Sequence, residues 1–274
     1  MSITWLQSLI YSLLTGISSL LPVSAEAHQT VYLQLSGLSS VPGYLQFTTR
    51  LGVLIALLIG CREYISDYRT AYHLVSIPAN RRKRQPDREV LLTMRNLQIA
   101  VIPVALSFLA HGYVSWIGHK QWLLPLVLLF NGLILFLPQY LPGANKSSLN
   151  MSGLDALLMG FGYALGTVPG VSPVGFMIAI GRMRGVDKLH AVNLSLLLSI
   201  PVTVVWLLMD LFSLSGAGTD FSFWLIFGSV CASTFSALAA ISLMRHFAKN
   251  GGLSAFSYYS WGAAMFIFIL YLTV

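Results

Sequence analysis

The chain has 274 residues, of which 56% are hydrophobic and only 9% are charged, and its mean hydropathy is +0.74. Water-soluble domains carry about 25% charged residues, so this composition excludes a soluble globule. The net charge of +7 does not indicate nucleic-acid binding, because eight of the sixteen Lys and Arg residues lie in the single segment 62–95. Such a concentration of basic residues is typical of a loop between membrane spans.

Six apolar runs are long enough to cross a hydrocarbon core of about 30 Å. They lie near 44–61, 97–117, 122–142, 190–212, 222–245 and 255–273. The sequence therefore predicts six transmembrane helices.

Two further apolar stretches, about 3–40 and 153–183, are interrupted by proline at 21–24 and 168–173. Broken backbone at membrane depth is tolerated only where protein or a polar cavity satisfies the freed groups. We therefore expect each stretch to form a re-entrant helix pair that enters and leaves the membrane on one side.

The basic segment 62–95 orients the chain, since cytoplasmic loops are enriched in Lys and Arg. With this segment inside, the topology places both termini in the periplasm, and the two broken stretches enter from opposite faces. These features predict one all-α integral membrane domain, 1–274, with an inverted-topology repeat of about 1–120 and 121–274. Arg182, Arg184 and Lys188 fit this topology as orientation charges, and the two arginines would also be placed to meet a lipid headgroup.

In inverted repeats of this kind, the tips of the two broken segments meet near the membrane midplane. Half-helix N-termini and free amides then face one cavity, which favours an anionic ligand. The expected site lies near 22–28 and 169–175.

The residues at the breaks carry a family resemblance. Residues 15–28 read TGISSLLPVSAEAH, and residues 169–175 read PGVSPVG. These stretches resemble the motifs E-G-x-T-E-F-L-P-V-S-S-T-G-H and P-G-x-S-R-S-G of the undecaprenyl pyrophosphate phosphatase family, the bacitracin-resistance membrane phosphatases. The resemblance implies an inverted-repeat fold with a site for an isoprenoid phosphate.

The departures from these motifs fall on the residues to which the family's chemistry is attributed. Thr15 and Ser19 stand where the family has two glutamates, and Pro173 stands where it has an arginine. Hydroxyl groups are weak substitutes for a carboxylate base or a hard-cation ligand, and proline has no side-chain donor. Ser24 and His28 are retained and are the candidate catalytic pair if the chain is an enzyme.

The predicted ligand-binding residues are those at the breaks together with charged or polar groups at membrane depth: Ser24, Glu26, His28, Arg50, Gly170, Ser172 and Gly175. Alternatives stay open for several of them. Ser24 and Ser172 are also suitable helix N-caps, and His28 a structural histidine. Arg50 either clamps a lipid phosphate in place of the missing arginine or forms a buried pair with Glu26.

The substitutions favour a catalytically degenerate protein of the bacterial inner membrane that binds and translocates an isoprenoid (undecaprenyl) phosphate or a similar anionic lipid. The alternatives are an undecaprenyl-diphosphate phosphatase with altered catalytic residues and a non-transporting accessory subunit of cell-envelope synthesis. We expect no cofactor and no metal, with Mg²⁺ or Ca²⁺ only in the phosphatase case; Cys61 and Cys231 lie too isolated to suggest a metal site or a disulfide. A homodimer is compatible with the sequence.

The predicted topology is testable by labelling. A cysteine introduced near Asn80 should react with a membrane-impermeant maleimide only from the cytoplasmic side, and one near Gly216 only from the periplasm. Labelling of both from one side would contradict the topology and the inverted repeat with it.

Overall fold

A computed structural model describes residues 3–109, 121–141, 145–214, 222–251 and 253–273. These residues form eleven α-helices and no strand, and their only β-type pairing is an isolated bridge between Lys146 and Val186. The helices are α1 (Trp5–Leu20), α2 (Ala25–Leu35), α3 (Gly43–Gly60), α4 (Arg62–Ser76), α5 (Arg88–Leu109), α6 (Leu124–Phe136), α7 (Gly153–Leu165), α8 (Pro173–Met183), α9 (Lys188–Leu214), α10 (Phe223–Asn250) and α11 (Ala255–Thr273).

Five of these helices, α3, α5, α9, α10 and α11, are long and apolar enough to cross a membrane. The chain is therefore an all-α, multi-pass membrane protein. The predicted span 122–142 corresponds to the shorter apolar segment Leu124–Tyr140, in which α6 passes into a 3₁₀ turn at Leu137–Tyr140. Most of the predicted outer loop 213–221 and the end of span 97–117 lie outside the described residues.

Each of the two proline-broken stretches folds as a helix hairpin. The arms α1, α2, α7 and α8 have 16, 11, 13 and 11 residues, which is shorter than the about 20 that a spanning helix needs. Each first arm starts at a capping box, with Thr4 or Ser152 as the N-cap. The starts of both first arms therefore have side-chain partners for two backbone amide groups each.

The basic segment 62–95 is not an irregular loop. It contains α4, a 3₁₀ turn at Ala79–Arg81 and the first turns of α5, which begins at Arg88. The helix α4 was not predicted, because its charged residues break the apolar pattern by which the spans were recognised.

Corresponding helices of the two predicted halves make equivalent contacts. The first hairpin arm α1 packs on α10, and the first arm of the other hairpin, α7, packs on α5. The helices that follow the hairpins, α3 and α9, contact each other. An inverted repeat predicts this pattern: when a helix of one half packs on a helix of the other half, their two counterparts pack on each other, and a helix can also pack on its own counterpart. The repeat and its boundaries stay a prediction.

Small residues bring several helices into close backbone contact, as is common in membrane bundles. A Cβ atom built on Gly160 of α7 would lie 2.2 Å from the carbonyl oxygen of Ala100 on α5. One built on Gly52 of α3 would lie 2.6 Å from the carbonyl oxygen of Val230 on α10. Glycine is therefore required at both contacts.

The base of the second hairpin is held by buried Asp155. Its carboxylate accepts hydrogen bonds from Lys146 Nζ at 3.1 Å, Arg184 Nε at 2.8 Å and the backbone amide of Ser152 at 3.1 Å. Arg184, predicted as an orientation charge, therefore also ties the end of α8 to the start of α7.

The contact between α5 and α7 generates a stability prediction. Gly160→Ala should lower the free energy of unfolding by about 1–3 kcal/mol, since the added methyl group meets backbone that cannot rotate away. The matched control is Gly262→Ala in α11, where nothing lies within 4 Å of the added Cβ. Thermal unfolding in detergent measures both, and equal melting temperatures would contradict the packing.

Candidate functional site

The tips of the two hairpins meet, which confirms the predicted juxtaposition of the breaks. Ser172 Oγ at the second break donates a hydrogen bond to the Leu21 carbonyl oxygen at the first, at 3.0 Å. The Ser172 amide donates to Asn131 Oδ1 at 3.0 Å, and a Cβ on Gly175 would lie 2.9 Å from Pro22 Cβ. Ser172 and Gly175 therefore build the tip contact.

Ser24 and Ser172 occupy equivalent positions as N-caps of the second hairpin arms. Ser24 Oγ accepts from the Ala27 amide and Ser172 Oγ from the Gly175 amide, each at 3.2 Å. Both serines are buried. The capping alternative is thus realised in the structure, and the ligand-binding role stays a prediction.

The backbone conformation at position 170 favours glycine. Its φ of +93° is one that residues with a side chain rarely adopt. A Cβ here would lie 2.8 Å from Val127 Cγ1 of α6. A side chain at position 170 would therefore meet α6, and the ligand-binding role of Gly170 stays a prediction.

His28 faces away from the Ser24 hydroxyl group. Its Nδ1 bonds the Ser24 carbonyl oxygen at 2.6 Å, its Nε2 bonds the Tyr259 hydroxyl group, and the two rings stack. The structure therefore does not assemble the predicted Ser24–His28 nucleophile pair. His28 instead lines an apolar cavity of about 460 Å³ between α2 and α11, the lateral groove, together with Val31, Leu35, Tyr259 and Phe266.

A different cavity gathers the charged and polar groups of the membrane core. This polar cavity has a volume of about 440 Å³ and lies among α1, α2, α3, α9 and the second hairpin. Its polar and charged lining residues are Thr15, Ser19, Glu26, Gln29, Gln46, Arg50, Tyr163, Thr167, Ser199, Thr203, Trp206, Asp210 and Ser213. Pro173 lines it as well.

Arg50 makes an ion pair with Asp210 of α9, through Nη1 and Oδ1. Its guanidinium carbon also lies 5.1 Å from the ring centroid of Trp206, a distance that allows a cation–π contact. The predicted pairing of Arg50 with Glu26 is wrong. The rotation of α9 brings Asp210 to Arg50, and hydropathy does not reveal that rotation.

Glu26 lines the polar cavity with an accessible carboxylate. Its side chain is exposed and forms no ion pair within the described residues. The neighbouring wall is polar but uncharged: Gln29 Nε2 donates to Thr15 Oγ1 at 3.2 Å, and Ser19 Oγ donates to the Thr15 carbonyl oxygen at 2.6 Å. Glu26 is therefore a cavity-lining carboxylate that no ion pair among the described residues engages.

Of the seven predicted binding residues, only Glu26 and Arg50 line the polar cavity. Asp210 was not among the predicted site residues, although an acidic residue within the run 190–212 carries the same signal that identified Glu26. Asp210 Oδ2 is buried and has no hydrogen-bond partner among the described residues. The site thus contains two carboxylates and one guanidinium group.

The described residues contain no group of three or more His, Cys, Asp and Glu side chains that would hold a metal ion. Glu26 and Asp210 alone make a sparse ligand set for a hard cation such as Mg²⁺ or Ca²⁺, which takes six or more oxygen ligands. One Asp210 oxygen is already engaged by Arg50. The role of a metal stays a prediction.

Comparisons with known proteins agree on one family. The family model described as bacitracin resistance protein BacA matches residues 8–266. A relative from Methanobrevibacter smithii is 30% identical over 270 residues, covering 96% of each chain, and one from Thermodesulfovibrio yellowstonii is 25% identical over 97% of this chain and 96% of its own. A third, from Nocardioides sp., is 28% identical over 74% of this chain and 73% of its own. All three are named undecaprenyl-diphosphatase.

The ion pair generates a prediction that separates its two suggested partners. In a double-mutant cycle of unfolding free energies, Arg50→Gln and Asp210→Asn should couple by about 1 kcal/mol, because they remove the same partly buried interaction. Arg50→Gln and Glu26→Gln should couple more weakly, because no ion pair joins Arg50 to Glu26. Stronger coupling to Glu26 than to Asp210 would contradict the structure.

Proposed function

Because the chain belongs to the bacitracin resistance protein BacA family, we propose that it hydrolyses an isoprenoid diphosphate of the undecaprenyl diphosphate type at the polar cavity, in a bacterial inner membrane. The names of its full-length relatives support this substrate class. The phosphatase, first considered as an alternative, thus replaces the catalytically degenerate lipid-binding protein as the leading hypothesis.

One observation carries the proposal. Thr15, Ser19 and Pro173, the positions where the family motifs have two glutamates and an arginine, line the same cavity as Glu26, Arg50 and Asp210. The charge types missing from the motifs are therefore present on other helices, around the same space. A substitution that removes chemistry at one position need not remove it from the cavity.

Arg50 is the diphosphate ligand in this scheme. Its planar guanidinium group can donate two parallel hydrogen bonds to phosphate oxygens. A bound diphosphate would compete with Asp210 for this donor. The Trp206 ring holds the guanidinium group near its position during the exchange.

Glu26 is the general base. Its carboxylate takes a proton from a water molecule whose oxygen bonds to the terminal phosphorus, and the bond from that phosphorus to the bridging oxygen breaks. Orthophosphate and the isoprenyl monophosphate are the products. Arg50 stabilises the charge that develops on the phosphate oxygens.

A second function, binding and translocation without hydrolysis, is favoured by the Arg50–Asp210 pair. If the diphosphate does not displace Asp210, the charge of Arg50 stays neutralised and the motif positions offer only hydroxyl groups and proline for catalysis. Movement of labelled undecaprenyl phosphate across reconstituted vesicles, without phosphate release, would support this function. If neither phosphate release nor lipid movement is detected, the accessory-subunit hypothesis remains.

The hydrolysis proposal predicts phosphate release from undecaprenyl diphosphate by the purified protein, assayed with and without Mg²⁺ or Ca²⁺. Glu26→Gln should reduce kcat by about 100-fold or more, since the loss of a general base has that typical effect. Arg50→Lys should retain more activity than Arg50→Gln, because it keeps the charge without the planar fork.

The matched control is Glu63→Gln, the same substitution at an exposed residue of α4 outside the polar cavity. It should leave kcat unchanged. Absence of phosphate release from the unmodified protein under all cation conditions would contradict the proposal, as would equal activity of Glu26→Gln and Glu63→Gln.

A further inference from the structure

A third cavity borders the hairpin tip contact. This basic cavity has a volume of about 400 Å³ and is lined by Pro22, Leu135, Ile178, Arg182, Lys188 and Leu253, among others. Pro22 belongs to the first hairpin tip, whose neighbours Leu20 and Ala25 line the polar cavity. The tip contact therefore forms a wall of both cavities.

The two cavities lie towards opposite ends of the helix bundle. Lys188 is the first residue of α9, and Asp210 of the polar cavity lies 22 residues later (210 − 188) in the same helix. At 1.5 Å per residue this separation is about 33 Å, close to the thickness of a hydrocarbon core. Lys188 also lies beside the end of α10, with its Nζ 3.6 Å from a Cβ built on Gly251.

The charge around the basic cavity is positive. Arg182 Nη1 donates to the Val186 carbonyl oxygen at 3.0 Å, which anchors the guanidinium group beside Lys188. An adjoining cavity is lined by Arg182, Lys188, Lys249 and Asp187, so three cations face one carboxylate. Asp187 Oδ1 accepts from the His190 amide at 3.0 Å.

The deeper wall of the basic cavity is apolar and buried, through Leu135, Ile178 and Pro22. Cations at the mouth and hydrocarbon further in match an amphiphile with an anionic head.

We propose that the basic cavity is a second phosphate-binding site, separate from the polar cavity. Arg182 and Lys188 bind the phosphate oxygens, and the apolar wall contacts the chain of a lipid phosphate. The same cations would accept free orthophosphate. This proposal does not require hydrolysis at the polar cavity.

The test measures ligand access to the basic cavity itself. Ser254, which lines it, is replaced by cysteine in a Cys231→Ser background, in which the remaining Cys61 is fully buried. The protein in nanodiscs is alkylated by a water-soluble maleimide at constant ionic strength, with orthophosphate, undecaprenyl monophosphate or chloride. A phosphate ligand should slow alkylation by about tenfold, the protection expected when the ligand is well above its Kd.

Lys188→Gln should abolish this protection, whereas Lys83→Gln, the same substitution at an exposed residue of the segment 62–95, should preserve it. Protection by the lipid alone identifies a headgroup site, and equal protection by orthophosphate identifies a free-phosphate site; both support the proposal. No protection by either ligand, or equal protection in Lys188→Gln, would overturn it.

The Arg50→Gln background separates this proposal from the proposed function. Protection should persist there, because Arg50 does not line the basic cavity. Loss of protection in Arg50→Gln to the extent seen in Lys188→Gln would also overturn a separate site. Absence of hydrolysis has no bearing on the result.

Discussion

The backbone groups freed at the two helix breaks must find partners inside the protein, because the surrounding hydrocarbon offers none. The contact between the hairpin tips meets part of this requirement: the Leu21 carbonyl oxygen accepts from Ser172, and the Ser172 amide donates to Asn131. Asn131 in turn donates to Ser260 at 3.0 Å, which extends the network to α11. One buried polar chain therefore joins both hairpins to two further helices.

This contact determines where space remains in the membrane core. Residues at the tips line both the polar cavity and the basic cavity, so the tip contact forms a wall of each. The polar cavity has Glu26, Asp210 and Arg50, whereas the basic cavity has Arg182 and Lys188. Two chemically different sites thus follow from one packing requirement.

The fold was largely predictable from the sequence, because hydropathy and proline report directly on solvent and backbone. Pro22 and Pro169 marked the breaks, and the apolar runs located the long helices. The meeting of the two breaks was also predicted, from the expected opposed topology of the two segments. The helix α4 was missed, because an amphipathic segment rich in charge lacks the signal used for the spans.

The side-chain geometry of the site was less predictable, since it depends on how each helix is rotated. Arg50 and Glu26 were identified as intramembrane charges, but the partner of Arg50 lies 160 residues away on α9. His28 was grouped with Ser24 by motif spacing, yet its ring points to Tyr259 on α11. Residue spacing shows which residues share a face of one helix, but it does not show which other helix packs against that face.

In the proposed function, the diphosphate binds to Arg50 in the polar cavity and displaces Asp210 from it. A structure with a non-hydrolysable methylene-bridged isoprenoid diphosphate tests it most directly. The account predicts a phosphate group within hydrogen-bond distance of the Arg50 guanidinium group, with Asp210 released and Glu26 beside the terminal phosphate. A bound analogue outside the polar cavity, or one inside it with the Arg50–Asp210 pair intact, would contradict the account.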